Sequence, residues 1–86
     1  MADTRPKGVT TKEVAQAVGV SEPTILRWGR VGVLPPKVLH FGGRRGRHAF
    51  WPEYTIAQAR WVISKLEAHA TFDEIVAALE AGEFNP

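Results

Sequence analysis

Residues Thr10–Pro36, TTKEVAQAVGVSEPTILRWGRVGVLPP, decide how the rest of the chain is read. Thr10 and Glu13 stand at the spacing of a capping box, in which a hydroxyl accepts from a backbone amide while the carboxylate reaches back. A helix is therefore predicted from about Thr11, with Val14, Ala15 and Val18 on one apolar face and Gly19 as its left-handed stop. Only Gly19 and Val20 separate this helix from Ser21, a good N-cap, and Pro23 falls in the next first turn, where a missing N–H costs nothing. The second helix is predicted to run to about Val31. Ile25 and Trp28 share the face that packs back on the first helix, which leaves Pro23, Thr24 and Arg27 pointing elsewhere. Gly32 and Pro35-Pro36 close the unit.

Two helices joined so tightly, the second with polar groups along its N-terminal half, match a helix-turn-helix whose second helix enters a DNA major groove. On spacing alone an ordinary helical hairpin fits as well. The run VSEPTILRWGRVGVLPP resembles the start of the winged-helix DNA-binding domain of the MerR family, in which a similar helix-turn-helix is followed by Gly-Leu-Leu-Pro-Pro, an arginine-bearing wing and two more helices. The resemblance covers roughly residues 9 to 81. It implies a mainly α fold, a winged helix-turn-helix of about four helices with a two-stranded β wing between the second and third.

With 86 residues the chain is read as one domain, large enough for a modest core. Residues 1–8 are expected to be a flexible N-terminal tail, 9–82 the DNA-binding domain and 83–86 a C-terminal tail. The chain has no cysteine, which excludes a disulfide framework and a thiolate metal site. No apolar run approaches a membrane span, and MADTRPKG lacks the apolar core of a secretory signal, so a cytoplasmic, nucleoid-associated protein is expected. The net charge of +2 conceals an asymmetry: residues 1–60 hold ten Lys/Arg against four Asp/Glu, and residues 61–86 hold one against five. Between residues 27 and 47 there are six basic side chains and no acid, a concentration that suits a polyanion.

After the two helices, Lys37-Val-Leu-His-Phe alternates loosely, Gly42-Gly43 can form a hairpin tip, and Arg44-Arg-Gly-Arg-His-Ala-Phe would be the returning strand. Residues 37–50 are thus read as the two-stranded wing, leaning on the helices through Leu39, Phe41 and Phe50 because an isolated hairpin is marginal in water. Pro52 to His69 carries Ile56, Ala59, Val62, Ile63 and Leu66 on one stripe, a long amphipathic helix. Its start is blurred by Trp51 and Pro52, which stand where the family usually has a short polar cap and acidic residues. Thr71 with Glu74 forms a second capping box for a short acidic helix bearing Ile75, Val76 and Leu79 and ended by Gly82. That helix is expected to face solvent, away from DNA, because its acids would repel phosphate.

DNA affinity comes mainly from cations displacing counterions, while sequence choice comes from groups that reach base edges. The resemblance carries the outward positions of the second helix, which enter the major groove, onto Pro23, Thr24 and Arg27, with Leu26 beside them. Arg27 can fork onto guanine O6 and N7, worth about 1–3 kcal/mol of discrimination when aligned, or can bond a phosphate. Thr24 can bond a phosphate or serve as a helix-start hydroxyl. Arg44, Arg45 and Arg47 resemble the family's phosphate- and minor-groove-contacting arginines, with Arg30 and Lys37 as further phosphate candidates. His48 can meet a phosphate when protonated or remain an exposed neutral side chain.

Many relatives have arginine where this chain has Leu26, and an acid where it has Gly29. Leu26 can touch a thymine methyl or turn inward as core, and Gly29 would allow close approach of the wing. Trp28, Trp51 and Trp61 are read as packing residues, a tryptophan at the wing base being able to brace it.

His40, His48 and His69 lack metal-ligand spacing, and no nucleophile elbow, phosphate loop or pair of carboxylates suggests catalysis, so neither an enzyme nor a metal or other cofactor is expected. The partner expected is double-stranded DNA, bound as a homodimer or by cooperative assembly, with no membrane and no small-molecule effector. Family members resemble dimers joined by a long helix that would begin near Asn85-Pro86, so the chain is expected either to be a fragment or to work without that dimer. The alternatives are an excisionase-like architectural DNA-binding factor, and a protein-interaction module whose basic wing meets an acidic partner.

Overall fold

The computed structural model describes residues 8–41 and 47–85, with the backbone alone for residues 38–41 and 47–49. Four helices and two short strands follow in the order α1 (Thr11–Val18), α2 (Glu22–Val31), β1 (Val38–Phe41), β2 (Arg47–Phe50), α3 (Thr55–Glu67) and α4 (Phe72–Glu80). The protein is mainly helical.

The first two helices start where their capping residues require. Thr10 Oγ1 accepts from the Glu13 amide at 3.1 Å while the Thr10 amide donates to Glu13 Oε1 at 2.8 Å, so the capping box closes on both sides. Gly19 then turns to φ 78°, a left-handed conformation that glycine adopts without steric cost, and its amide bonds back to the Ala15 carbonyl. Ser21 restarts the chain as N-cap, and Gly32 ends α2 with its amide on the Trp28 carbonyl. Val14 and Ala15 of α1 meet Ile25 and Trp28 of α2 in the core, as their spacing predicts.

β1 and β2 run antiparallel in a two-stranded sheet, with Val38 opposite Phe50, Leu39 opposite Ala49, His40 opposite His48 and Phe41 opposite Arg47. Beyond β2 the chain stays extended for one more pairing: Trp51 donates to the Val9 carbonyl at 2.7 Å, and Val9 donates back at 2.9 Å. The segment leading into α1 is thereby stitched to the segment leaving the hairpin. The predicted tip at Gly42-Gly43 and the side chains of Leu39 and Phe41 lie outside the described residues. Phe50 is half-buried.

α3 corrects the predicted bounds. Instead of running from Pro52 to His69 it begins at Thr55, because Pro52 to Thr55 forms a turn closed by the Thr55 amide on the Pro52 carbonyl at 3.0 Å. It ends at Glu67, where His69 takes φ 68° without being glycine, and the amides of His69 and Ala70 fold back onto the carbonyls of Leu66 and Lys65. The buried stripe is also rotated from the predicted one. Ala59 and Val62 are sealed in the core beside Thr55 and Gln58, while Ile56, Ile63 and Leu66 pack at its margin. Gln58 is tolerated inside because its side-chain amide donates to the Val33 carbonyl at 2.9 Å, satisfying a backbone group in the loop after α2.

α4 starts at its own complete capping box, Thr71 with Glu74, and buries Ile75 and Ala78. The residues after it turn back on α3. Phe84 stacks at a tilt on Trp61 with ring centroids 5.5 Å apart, and Lys65 Nζ reaches Glu83 at 3.3 Å.

Candidate nucleic-acid interface

The surface of α2 follows from its burial pattern. Ile25 and Trp28, three residues apart, are 0 % and 5 % exposed, so the opposite side of the same cylinder must face solvent. That side carries Pro23, Arg27 and Arg30, all exposed, with Leu26 half-buried at its edge. Leu26 packs against the core margin, in keeping with its inward alternative. The Thr24 hydroxyl sits 2.8 Å from Ser21 Oγ, and the Thr24 amide donates to that same oxygen at 3.3 Å. Thr24 thus takes part in the helix-start network.

Arg27 does not hang free. Its guanidinium carbon lies 5.8 Å from the centroid of the Phe72 ring, at the first residue of α4. On the same side, a methyl group added at Gly32 would touch Val76 at 3.8 Å. Phe72 and Val76 of the acidic last helix thus approach α2, while its acids Asp73, Glu74 and Glu80 remain exposed.

On the other flank of α2 stands Trp51, 2 % exposed. Its indole N–H donates to Thr11 Oγ1 at 2.9 Å, which ties the residue after β2 to the first turn of α1. Its six-membered ring lies against Gly29 so closely that a methyl group there would come within 2.6 Å of Trp51 Cη2. The close approach anticipated for Gly29 is made by this indole, at the foot of the hairpin. Lys37 Nζ sits 5.7 Å from the Trp51 ring centroid.

Between these groups opens a pocket of about 420 Å³, lined by Leu26, Gly29 and Arg30 of α2, by Pro35, Pro36 and Lys37 of the segment that follows, and by Trp51. Leu26 and Gly29 of α2 thus meet Trp51 in one place. Arg30 and Lys37 stand there with no acid among the lining residues.

The remaining candidates fall at residues 44–48 of the sequence. Arg44 and Arg45 lie outside the described residues. Arg47 and His48 open β2, opposite Phe41 and His40, and their side chains lie outside what is described. The structure accordingly places Arg27, Arg30 and Lys37 around one exposed face of α2 with Pro23, and puts the hairpin directly after Lys37. Sequence reasoning misses Phe72 and Thr11 as partners of Arg27 and Trp51. Both contacts cross forty or more residues, and no local spacing announces them.

Among the described residues no group of histidines and acids could hold a metal ion, and no helix is long and apolar enough to cross a membrane. The sequence profile described as MerR HTH family regulatory protein matches residues 9–82. No curated protein and no solved structure matches the chain.

Proposed function

Since the chain belongs to the MerR helix-turn-helix family of DNA-binding regulatory proteins, we propose that it binds double-stranded DNA sequence-specifically, with α2 in the major groove and the β1–β2 hairpin as a wing on the backbone and minor groove. The observation that carries this reading is the division of α2 into a sealed side, Ile25 and Trp28, and an open side bearing Pro23, Arg27 and Arg30. A helix so divided can be laid along a groove without unpacking anything.

The roles divide by chemistry. Arg27 is the base-reading side chain, because its fork geometry matches guanine O6 and N7. Arg30, Lys37 and the hairpin residues Arg44, Arg45, Arg47 and His48 neutralise phosphates, and Pro23 and Thr24 bring the helix start against the backbone. Leu26, turned toward the core margin, contributes apolar surface beside the groove.

Selection of bound sites from a random duplex pool, followed by binding across a salt series, tests the proposal. A salt-sensitive, sequence-selective duplex binder is the expected outcome. Recovery of a spaced inverted repeat supports a dimeric regulator, whereas tandem repeats support an architectural factor assembling side by side. Absence of salt-sensitive duplex binding leaves the basic face to an acidic protein and removes the DNA reading altogether.

A further inference from the structure

Neutralising phosphate with Arg30 and Lys37 does not explain why these two cations stand over an apolar recess. Its lining combines apolar surface from Leu26, Pro36 and Trp51 with two cations, Arg30 and Lys37. Among the described residues neither cation forms an ion pair, and Lys37 has only the indole ring as its partner. Unpaired cations beside an apolar recess complement a ligand that is anionic at one end and apolar along its body. The position adds a second constraint: Arg30 is exposed two helical turns beyond Pro23, so the pocket opens beside the face assigned to the groove.

We propose that this pocket seats one sugar–phosphate unit of a DNA strand, with the phosphodiester between Arg30 and Lys37 and the deoxyribose against Leu26 and Pro36. The proposal rests on the reading of the protein as a duplex binder. It goes further in assigning an apolar half to a backbone contact, which makes the contact depend on shape as well as charge. Gly29 and the Trp51 indole set the depth of the seat, since any side chain at Gly29 would intrude on the ring.

The test is a methylphosphonate scan. Each phosphate of the selected duplex is made neutral in turn, and affinity is measured for the parent protein and for Lys37→Gln, Arg30→Gln and Leu26→Phe, with thermal melting as the check on folding. At one phosphate, neutralisation should weaken the parent roughly tenfold, the scale of removing a charge-assisted hydrogen bond, and should weaken Lys37→Gln and Arg30→Gln far less. Leu26→Phe, which fills the recess and keeps both cations, should erase the dependence on that same phosphate. If the effects add at every phosphate for every variant while the duplex is still bound, the seat is refuted and the DNA-binding function stands. If the unmodified protein shows no salt-sensitive duplex binding, both fall together.

Discussion

The Arg27 guanidinium lies over the Phe72 ring of α4, a contact worth about 0.5–1 kcal/mol at an exposed site. Replacing Arg27 by alanine should blunt preference at about one or two base pairs. Phe72→Leu, which keeps apolar bulk and removes the ring, should disturb those same positions more weakly. Selection from a random pool reads both effects, and an equal drop in affinity on every site would reject base reading by Arg27. Gly29→Ala separates two other effects. Helix propensity alone favours alanine by roughly 1 kcal/mol. The new methyl would, however, meet the Trp51 ring at 2.6 Å, and overpacking typically costs about 1–3 kcal/mol. The ring is sealed in the core and bonded to Thr11, so it has little freedom to retreat, and the variant should melt below the parent in a calorimetric scan. These residue-level contacts are the least legible part of the chain. The exposure of Arg27 follows from its offset to Ile25 and Trp28, but its partner does not. Gln58 reads as a surface residue in any hydropathy pattern, and only the loop carbonyl of Val33 explains its burial.

At the level of elements the sequence is far more transparent, because helix starts are written in local chemistry. Thr10 with Glu13, Ser21 with its following proline, and Thr71 with Glu74 all occupy the N-cap positions predicted for them. Thr10→Ala and Thr71→Ala should each cost about 1 kcal/mol by leaving a first-turn amide unsatisfied. Chemical denaturation should report this as a shifted midpoint with an unchanged slope. Helix ends without glycine are harder to place. α3 stops at a left-handed histidine, and it starts at Tyr54 without a side-chain cap, so neither end carries a recognisable signal. Nothing local foretells the pairing of Trp51 with Val9, since it joins segments more than forty residues apart.

For the whole molecule the dominant feature is the uneven distribution of charge, ten basic against four acidic residues over 1–60 and one against five over 61–86. If the basic part meets DNA, replacing Arg44, Arg45 and Arg47 together should lower affinity on all sequences. It should also flatten the dependence of log affinity on log salt by roughly 0.9 for each phosphate that is no longer neutralised. Affinity that falls without a change in that slope would show that the three arginines act on folding and not on phosphate. The exposed Lys65–Glu83 pair, by contrast, belongs to a class that adds little to stability. What holds the last residues to α3 is the packing of Phe84 on Trp61.

The fit between Gly29 and Trp51 also bears on which replacements the two positions can accept together. Two residues that look separate along the chain, a glycine inside α2 and an indole just after β2, are complementary shapes occupying a single volume. Neither can be replaced independently at no cost, and a side chain should be accepted at 29 only where 51 has become smaller.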